Sequence, residues 1–207
     1  LLVVGEVVDQ RQALEWFEAR SLFGRRILIT RSREQCRPLR LMLEAEGGEV
    51  FELPMLQLSD PEDAAPLDEA LTQLQKFQWV IFTSPNAVSY FFAPLQRSGR
   101  DARALGTCRI AAIGSATASH LASHGICPDL TPMSHSSAGL AAAFADIDLQ
   151  DAQILIPSSA IGTTELDEEL QRRGAKTQRI TAYENRPPDP EEVEIPAALS
   201  SGEMDCV

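Results

Sequence analysis

A chain of 207 residues with 44% hydrophobic and 23% charged residues has the composition of a soluble globular protein, large enough for two modest α/β domains or one large one. Its net charge of −12 argues against a nucleic-acid partner, and we expect neither a membrane span nor a signal peptide, since apolar runs stay short and residues 1–9 carry acidic but no basic side chains. The four cysteines and three histidines show no paired spacing, so we expect no disulfide framework, no metal site and a cytoplasmic location.

The first residues predict two elements that do not belong with the rest. Residues 1–8 are typical of a strand and residues 10–20 of an amphipathic helix, with a junction at 21–24. A lone strand and helix cannot bury an apolar face. We therefore interpret residues 1–23 as the end of a preceding domain.

A new unit is predicted from Arg25. Residues 27–30 form a short buried strand, Arg31 lies in the turn that follows, residues 35–45 form a helix, and residues 49–53 form the next strand. Residues 54–61 are punctuated by prolines and are expected to be extended.

The most informative stretch follows an amphipathic helix predicted over residues 66–77. Residues 79–82 are four bulky apolar residues, typical of a strand buried on both faces. Thr83 and Ser84 are helix N-cap types, and Pro85 fits the first helical position. The helix N-terminus that results can hold an anion through free backbone N–H groups, without lysine or arginine.

The same alternation continues to the end of the chain. Strands are predicted at residues 109–113, 129–132, 154–156 and 176–182, with a last one starting at 204, and helices at 115–125, 136–144, 163–173 and 191–202. Repeated strand–turn–helix units predict parallel sheets with right-handed crossovers, whose ligands bind beyond the carboxyl ends of the strands.

Four of the predicted turns after strands carry small hydroxyl residues, and together they would form a cradle for a ligand with several anionic groups. For a single turn, capping of the helix is the simpler interpretation. The four turns are Thr30-Arg31-Ser32, Thr83-Ser84-Pro85, Gly114-Ser115-Ala116-Thr117 and Pro157-Ser158-Ser159.

Several motifs with known chemistry are absent from the sequence. It lacks a phosphate-binding loop, a three-glycine dinucleotide fingerprint and a G-x-S-x-G nucleophile elbow, so we expect no cofactor. The spacing alone does not decide the role of two residues. Tyr183 is either a packed edge residue or a proton donor, and Arg31 is either a solvated turn residue or a carboxylate clamp.

Four segments, taken in order and with their spacing, resemble uroporphyrinogen-III synthase over roughly residue 24 to the end. They are Ile27-Leu28-Ile29-Thr30-Arg31, Ile81-Phe82-Thr83-Ser84-Pro85-Asn86-Ala87-Val88, Ala112-Ile113-Gly114-Ser115-Ala116-Thr117-Ala118 and Ile180-Thr181-Ala182-Tyr183. Residues 1–17, with Val3-Val4-Gly5-Glu6-Val7-Val8, resemble the end of a uroporphyrinogen-III C-methyltransferase, which would make that enzyme a fused partner.

The resemblance implies two α/β domains of three layers each, built on parallel sheets and joined by a two-stranded linker, with the active site in the cleft between them. Domain 1 would comprise residues 24–57 and 186–207, and domain 2 residues 58–185. The returning half of domain 1 should contain further turns that this chain lacks, so we expect domain 1 to be discontinuous and incomplete here.

The function implied by the resemblance is cyclisation of the small molecule hydroxymethylbilane, with loss of water and inversion of ring D, to give uroporphyrinogen III for haem, sirohaem and cobalamin. Tyr183 matches the family tyrosine proposed to protonate the leaving hydroxyl. The residues expected to bind the substrate are Arg31, Thr83, Ser84, Ser115, Thr117 and Ser158.

Two alternative interpretations assign the chain to a class of protein other than an enzyme. The chain could be a non-catalytic two-lobed binding module for an anionic metabolite, or a structural remnant. Tyr183 distinguishes catalysis from binding, because a binding module needs no proton donor there.

Overall fold

The computed structural model describes residues 16–189, 195 and 197–207. These residues belong to two compact units: unit 1 extends to Leu58 and resumes at Arg186, and unit 2 comprises Ser59–Asn185. Residues 16–24 form turns. The strand expected at residues 1–8 and the first part of the helix expected at 10–20 lie outside the described residues.

Unit 1 contains a short parallel strand pair and one long helix. Strand β1 (Arg26–Ile29) pairs with β2 (Glu49–Glu52) in a parallel register, and helix α1 (Arg33–Ala45) connects them. Ile29, Cys36 and Val50 form the buried cluster between helix and strands. This is the βαβ arrangement that the sequence predicts for residues 27–53.

The last residues of the chain return to β1. Cys206 forms a parallel bridge with Ile27, and the Leu28 N–H donates to the Cys206 carbonyl at 2.9 Å. The Asp205 carboxylate accepts the Arg26 backbone N–H at 2.8 Å and pairs with the Arg25 guanidinium at 3.0 Å. These contacts lower the pKa of Asp205, first through the Arg26 backbone hydrogen bond and then through Arg25.

Unit 2 is built around a five-stranded sheet with the order β3-β7-β6-β4-β5. The pairs β4–β5, β4–β6 and β6–β7 are all parallel. The strands are β3 (Gln57–Ser59), β4 (Trp79–Phe82), β5 (Arg109–Ala112), β6 (Gln153–Ser159) and β7 (Lys176–Arg186).

Helices connect the strands of unit 2, and two short 3₁₀ turns at Leu74–Lys76 and Ala102–Leu105 supplement them. A further short helix, α7, lies in unit 1. The helices are α2 (Ala65–Thr72), α3 (Pro85–Arg97), α4 (Ser115–Ser123), α5 (Ser137–Ala143), α6 (Glu165–Arg172) and α7 (Ala197–Ser200).

The sheet of unit 2 is buried on both faces. On one face Trp79 meets Phe144 edge-to-face at 4.8 Å, within a cluster that also contains Leu140 and Leu170 from α5 and α6. On the other face Phe82 packs edge-to-face against Phe91 of α3 at 5.2 Å. Strand β4 is therefore fully buried, as its four consecutive apolar residues predict.

Three expected elements differ in the structure. Residues 129–132 do not form a strand; Leu130 makes a single parallel bridge with Ala111. The helix expected at 191–202 is described only as the short α7, and part of it lies outside the described residues. The turn expected at Pro157-Ser158-Ser159 is wrong, because these residues continue β6.

Strand β6 tolerates Pro157 because of its pairing. Its register with β4 is Trp79↔Ile154 and Val80↔Leu155, whereas its register with β7 continues to Ser159. Proline has no backbone N–H to donate to a neighbouring strand, so it fits where a strand has only one hydrogen-bonded neighbour.

A largely buried ion pair links α6 to β7. The Arg179 Nε lies 3.0 Å from Oδ2 and 3.2 Å from Oδ1 of Asp167, and Nη2 also contacts Oδ2. Lys176 on the same strand forms an exposed pair with Asp151 at 2.6 Å. The two pairs lie on the same strand and differ in burial and in the number of contacts, so the exposed pair serves as the control for the buried one.

We predict that Arg179→Gln lowers the free energy of unfolding by about 3–5 kcal/mol, because it leaves the Asp167 carboxylate buried without its cation. Lys176→Gln should leave stability nearly unchanged, since its pair is solvated. Urea denaturation measures both changes. Equal small losses in the two variants would contradict a structural role for the buried pair.

Candidate functional site

The turns after β4 and β5 lie side by side at one edge of the sheet. Trp79↔Arg109 to Phe82↔Ala112 pair in parallel, so the two strands end at the same level. The Ile113 N–H donates to the Phe82 carbonyl at 3.0 Å, which extends this alignment into the turns. Strands β6 and β7 are parallel to β4, so their carboxyl ends face the same edge.

Ser84 caps helix α3, as the sequence predicts. Its backbone is extended, with φ −161° and ψ 157°, and its Oγ accepts the Ala87 N–H at 3.0 Å. Thr83 immediately precedes it and is half-buried. The Ser84 hydroxyl has a second partner, since its Oγ lies 3.2 Å from the Tyr183 Oη. The structure thus brings together two site residues that are 99 positions apart.

Tyr183 belongs to strand β7 rather than to an extended linker. Its side chain is only 7% exposed. The register between β6 and β7 shifts at Ser158/Ser159, so that Tyr183 rather than Ala182 lies opposite Ser159. A bulge of this kind re-aims a side chain at the end of a strand. The ring of Tyr183 stacks on Tyr90 of α3, with centroids 5.4 Å apart and planes at 27°.

Helix α4 begins without a side-chain cap. Its N-cap residue is Gly114, and Ser115 at the first helical position is exposed. The first N–H groups of a helix have no intrahelical acceptor, so this terminus presents donors to a ligand. Thr117, in contrast, is only 2% exposed, so it is buried in the first turn of α4.

The end of β6 differs from the turns after β4 and β5. Ser158 is buried within the strand, and its Oγ donates to the Ser159 carbonyl at 3.2 Å. The helix that follows, α6, carries Glu165, Asp167 and Glu168 in its first turn. Carboxylates at a helix N-terminus disfavour a further anion there.

Arg31 lies in unit 1, in the turn between β1 and α1. Its side chain is exposed, and its carbonyl accepts the Cys36 thiol at 3.2 Å. Ser32 is the N-cap residue of α1, but its buried hydroxyl makes no hydrogen bond to the helix. An exposed guanidinium at the end of a parallel strand is suited to a carboxylate ligand.

A polar cluster between α3 and α4 has no signal in the sequence. The Ser89 Oγ lies 2.7 Å from the His120 Nε2, and the His124 ring stacks on Phe92 with centroids 4.2 Å apart. Burial lowers the pKa of His124, and the neighbouring His120 lowers it further. The His124 ring stacked on Phe92 packs the two helices together.

Within the described part of the chain, no group of three or more histidine, cysteine, aspartate or glutamate residues could hold a metal ion. No helix in that part is long and apolar enough to cross a membrane.

Comparison with known proteins identifies a match over most of the chain. The family of uroporphyrinogen-III synthase HemD (HEM4) matches residues 38–207. The porphyrin biosynthesis protein HemD of Ruminiclostridium josui is 30% identical over 183 residues, covering 88% of this chain and 36% of that protein. The uroporphyrinogen-III synthase of Synechococcus elongatus is 34% identical over 171 residues, covering 81% of this chain and 63% of that protein. The chain therefore spans less than two thirds of the length of these two relatives.

A solved structure shows the same fold. A uroporphyrinogen III synthase of Thermus thermophilus aligns with a TM-score of 0.62 at 18% identity, over 88% of this chain and 71% of that one. The match supports an α/β fold with mainly parallel sheets.

The open terminus of α4 yields a stability prediction. A Cβ added at Gly114 would lie 2.7 Å from the His135 Cγ and 3.0 Å from its Cβ, which is too close for either atom. We expect Gly114→Ala to lower the free energy of unfolding by about 1–3 kcal/mol through overpacking, measured by urea denaturation.

The control is the same substitution in a His135→Ala background, where the ring is gone and a smaller loss is expected. An equal loss in both backgrounds would show that the poorer capping by alanine, and not the ring, causes the effect.

Proposed function

The chain belongs to the uroporphyrinogen-III synthase HemD family, and from this membership we propose that it closes hydroxymethylbilane to uroporphyrinogen III, with loss of water and inversion of ring D. The observation that carries the proposal is the placement of the Tyr183 hydroxyl at the carboxyl edge of the sheet, 3.2 Å from the Ser84 hydroxyl. A weak acid at a ligand-binding edge is what departure of a hydroxyl group requires.

The substrate carries several carboxylates, whereas the protein has a net charge of −12. Binding must therefore come from local donors. We propose that the α4 terminus with Ser115, Thr83 in the turn after β4, and Arg31 bind substrate carboxylates. The buried Thr117 and Ser158 support these turns from within unit 2.

Tyr183 is the proposed proton donor. Its Oη–H transfers a proton to the departing hydroxyl oxygen, the carbon–oxygen bond breaks, and water leaves with the bonding electron pair. A phenolate and a substrate carbocation remain. Inversion requires that the ring D carbon already bonded to the neighbouring bridge attacks this carbocation first. Its bond to the bridge carbon then breaks and leaves a second carbocation there. The free α-carbon of ring D bonds to that carbon and closes the macrocycle, and the proton that it loses restores the phenol. The surrounding walls choose which ring carbon attacks by positioning it.

The domain assignment is part of the same proposal. Unit 1 would be synthase domain 1 (residues 24–57 and 186–207), and unit 2 would be domain 2 (residues 58–185). The division at Leu58/Ser59 and Asn185/Arg186 supports these bounds. The methyltransferase fusion, supported by the pattern of residues 1–17, and the cytoplasmic location remain proposals.

The test of function uses the complete natural protein that contains this sequence. Hydroxymethylbilane alone closes to the uninverted isomer. Chromatography of the oxidised products should show the inverted isomer when the protein is present. Formation of only the uninverted isomer, at the rate seen in buffer, would contradict the proposed activity, and binding of substrate without turnover would instead identify a binding module.

Tyr183→Phe tests the proton donor. Phenylalanine retains the ring that stacks on Tyr90, so the fold should persist. Turnover should fall by about 10²–10⁴-fold, as for the loss of a general acid, while the product formed on the enzyme remains the inverted isomer. Turnover within a few-fold of wild type would remove Tyr183 from the mechanism.

A further inference from the structure

The contact between Ser84 and Tyr183 restricts what each hydroxyl can do. A serine hydroxyl has one proton to donate and two lone pairs to accept with. One lone pair of Ser84 already accepts the Ala87 N–H at 3.0 Å. At 3.2 Å only one proton can lie between Ser84 Oγ and Tyr183 Oη, and either residue can supply it.

The two arrangements have different consequences. If Tyr183 donates to Ser84, the phenol proton is occupied and Ser84 keeps its own proton for a substrate carboxylate. If Ser84 donates to Tyr183, the phenol proton is directed elsewhere and Ser84 has none left for the substrate. Proton donation by Tyr183 and substrate binding by Ser84 therefore exclude each other in any one arrangement.

We propose that Ser84 donates its proton to Tyr183 and is a positioning residue that acts through the phenol rather than on the substrate. This inference rests on the proposed function, because it takes Tyr183 as the proton donor. It assigns to Ser84 a role different from the carboxylate binding that its sequence position predicts.

One contact in unit 2 favours this direction of donation, and two others hold Tyr183 in place to receive the proton. The Ala87 N–H belongs to the first turn of α3, so the positive end of a 13-residue helix polarises the Ser84 hydroxyl and strengthens it as a donor. The ring of Tyr183 is fixed from the side by Tyr90 of the same helix. Its backbone is fixed by the residue that follows β6, since the Ala160 N–H donates to the Tyr183 carbonyl at 3.1 Å.

The chemical benefit appears when the proton leaves. As Tyr183 protonates the departing hydroxyl, negative charge develops on the Oη. A hydrogen bond to a charged oxygen is stronger than one to a neutral oxygen, so the Ser84 donor stabilises the transition state more than the ground state. Ser84 keeps its proton throughout, and the phenolate is reprotonated at ring closure, so the residues return to their starting state.

A double-mutant cycle on the turnover of hydroxymethylbilane tests the proposal in the complete natural protein. Ser84→Ala should lower kcat by about ten- to hundredfold, the range for a hydrogen bond to a charged group, with little change in KM. In a Tyr183→Phe background the same substitution should have almost no further effect on kcat, because the group through which Ser84 acts is gone. Ser84→Thr should restore most of the activity, since it retains a hydroxyl.

Loss of the α3 cap is separated from loss of the donor by two other variants. Ser84→Gly removes the hydroxyl but keeps a residue that caps almost as well, so it should match Ser84→Ala in kcat if the effect is chemical. Ser136 caps α5 through the Gly139 N–H at the same 3.0 Å, with no tyrosine attached. Ser136→Ala should therefore lower stability without lowering kcat.

The outcomes distinguish this inference from the proposed function. If Tyr183→Phe is slow and Ser84→Ala lowers kcat by the same factor in both backgrounds, or mainly raises KM, then Ser84 acts on the substrate and the inference is overturned while the proposed function stands. If Tyr183→Phe is nearly silent, the catalytic role of Tyr183 fails, and the inference fails with it.

Discussion

The parallel pairing of β4 with β5 and β6, and of β6 with β7, is the constraint on which the candidate site depends. Parallel strands require a crossover after each strand, so helices α3, α4 and α6, which follow β4, β5 and β6, begin at the same edge of the sheet. Residues that are far apart in sequence are thereby brought close together at the carboxyl ends of these strands. Ser84 and Tyr183 meet because their strands run in the same direction, with β6 between them.

The same constraint does not make the helix termini equivalent. Helix α3 has one of its first N–H donors, that of Ala87, engaged by Ser84, whereas α4 begins at Gly114 without a side-chain cap. Helix α6 carries acidic residues in its first turn. An anionic substrate would distinguish these termini by the charge and the free donors at each one. In a protein with a net charge of −12, that local difference matters more than the overall field.

The sequence predicted the parts of the fold whose causes are local. Strand β4 was bounded correctly because four bulky apolar residues precede a cap residue and a proline. The sequence misplaced Ser158, because a proline normally ends a central strand, and only the register of β6 with its two neighbours shows that Pro157 is tolerated. Nothing in the sequence distinguishes Tyr90 from the other apolar residues of its helix. Its role as a stacking partner of Tyr183 depends on the position of β7.

Tyr183, the proposed proton donor, is held rigidly by its neighbours. It lies on a strand, next to a register shift, and it contacts a capped helix through both its ring and its hydroxyl. A group held in this way loses little further freedom when a substrate arrives, whereas a tyrosine on a loop would have to be ordered during binding. The low exposure of Tyr183 follows from these contacts, so the proposed role as proton donor would require a substrate to bring its leaving hydroxyl to the tyrosine. Under the same proposal, specificity would come from the turns at the carboxyl edge of the sheet, through the way they position the rest of the substrate.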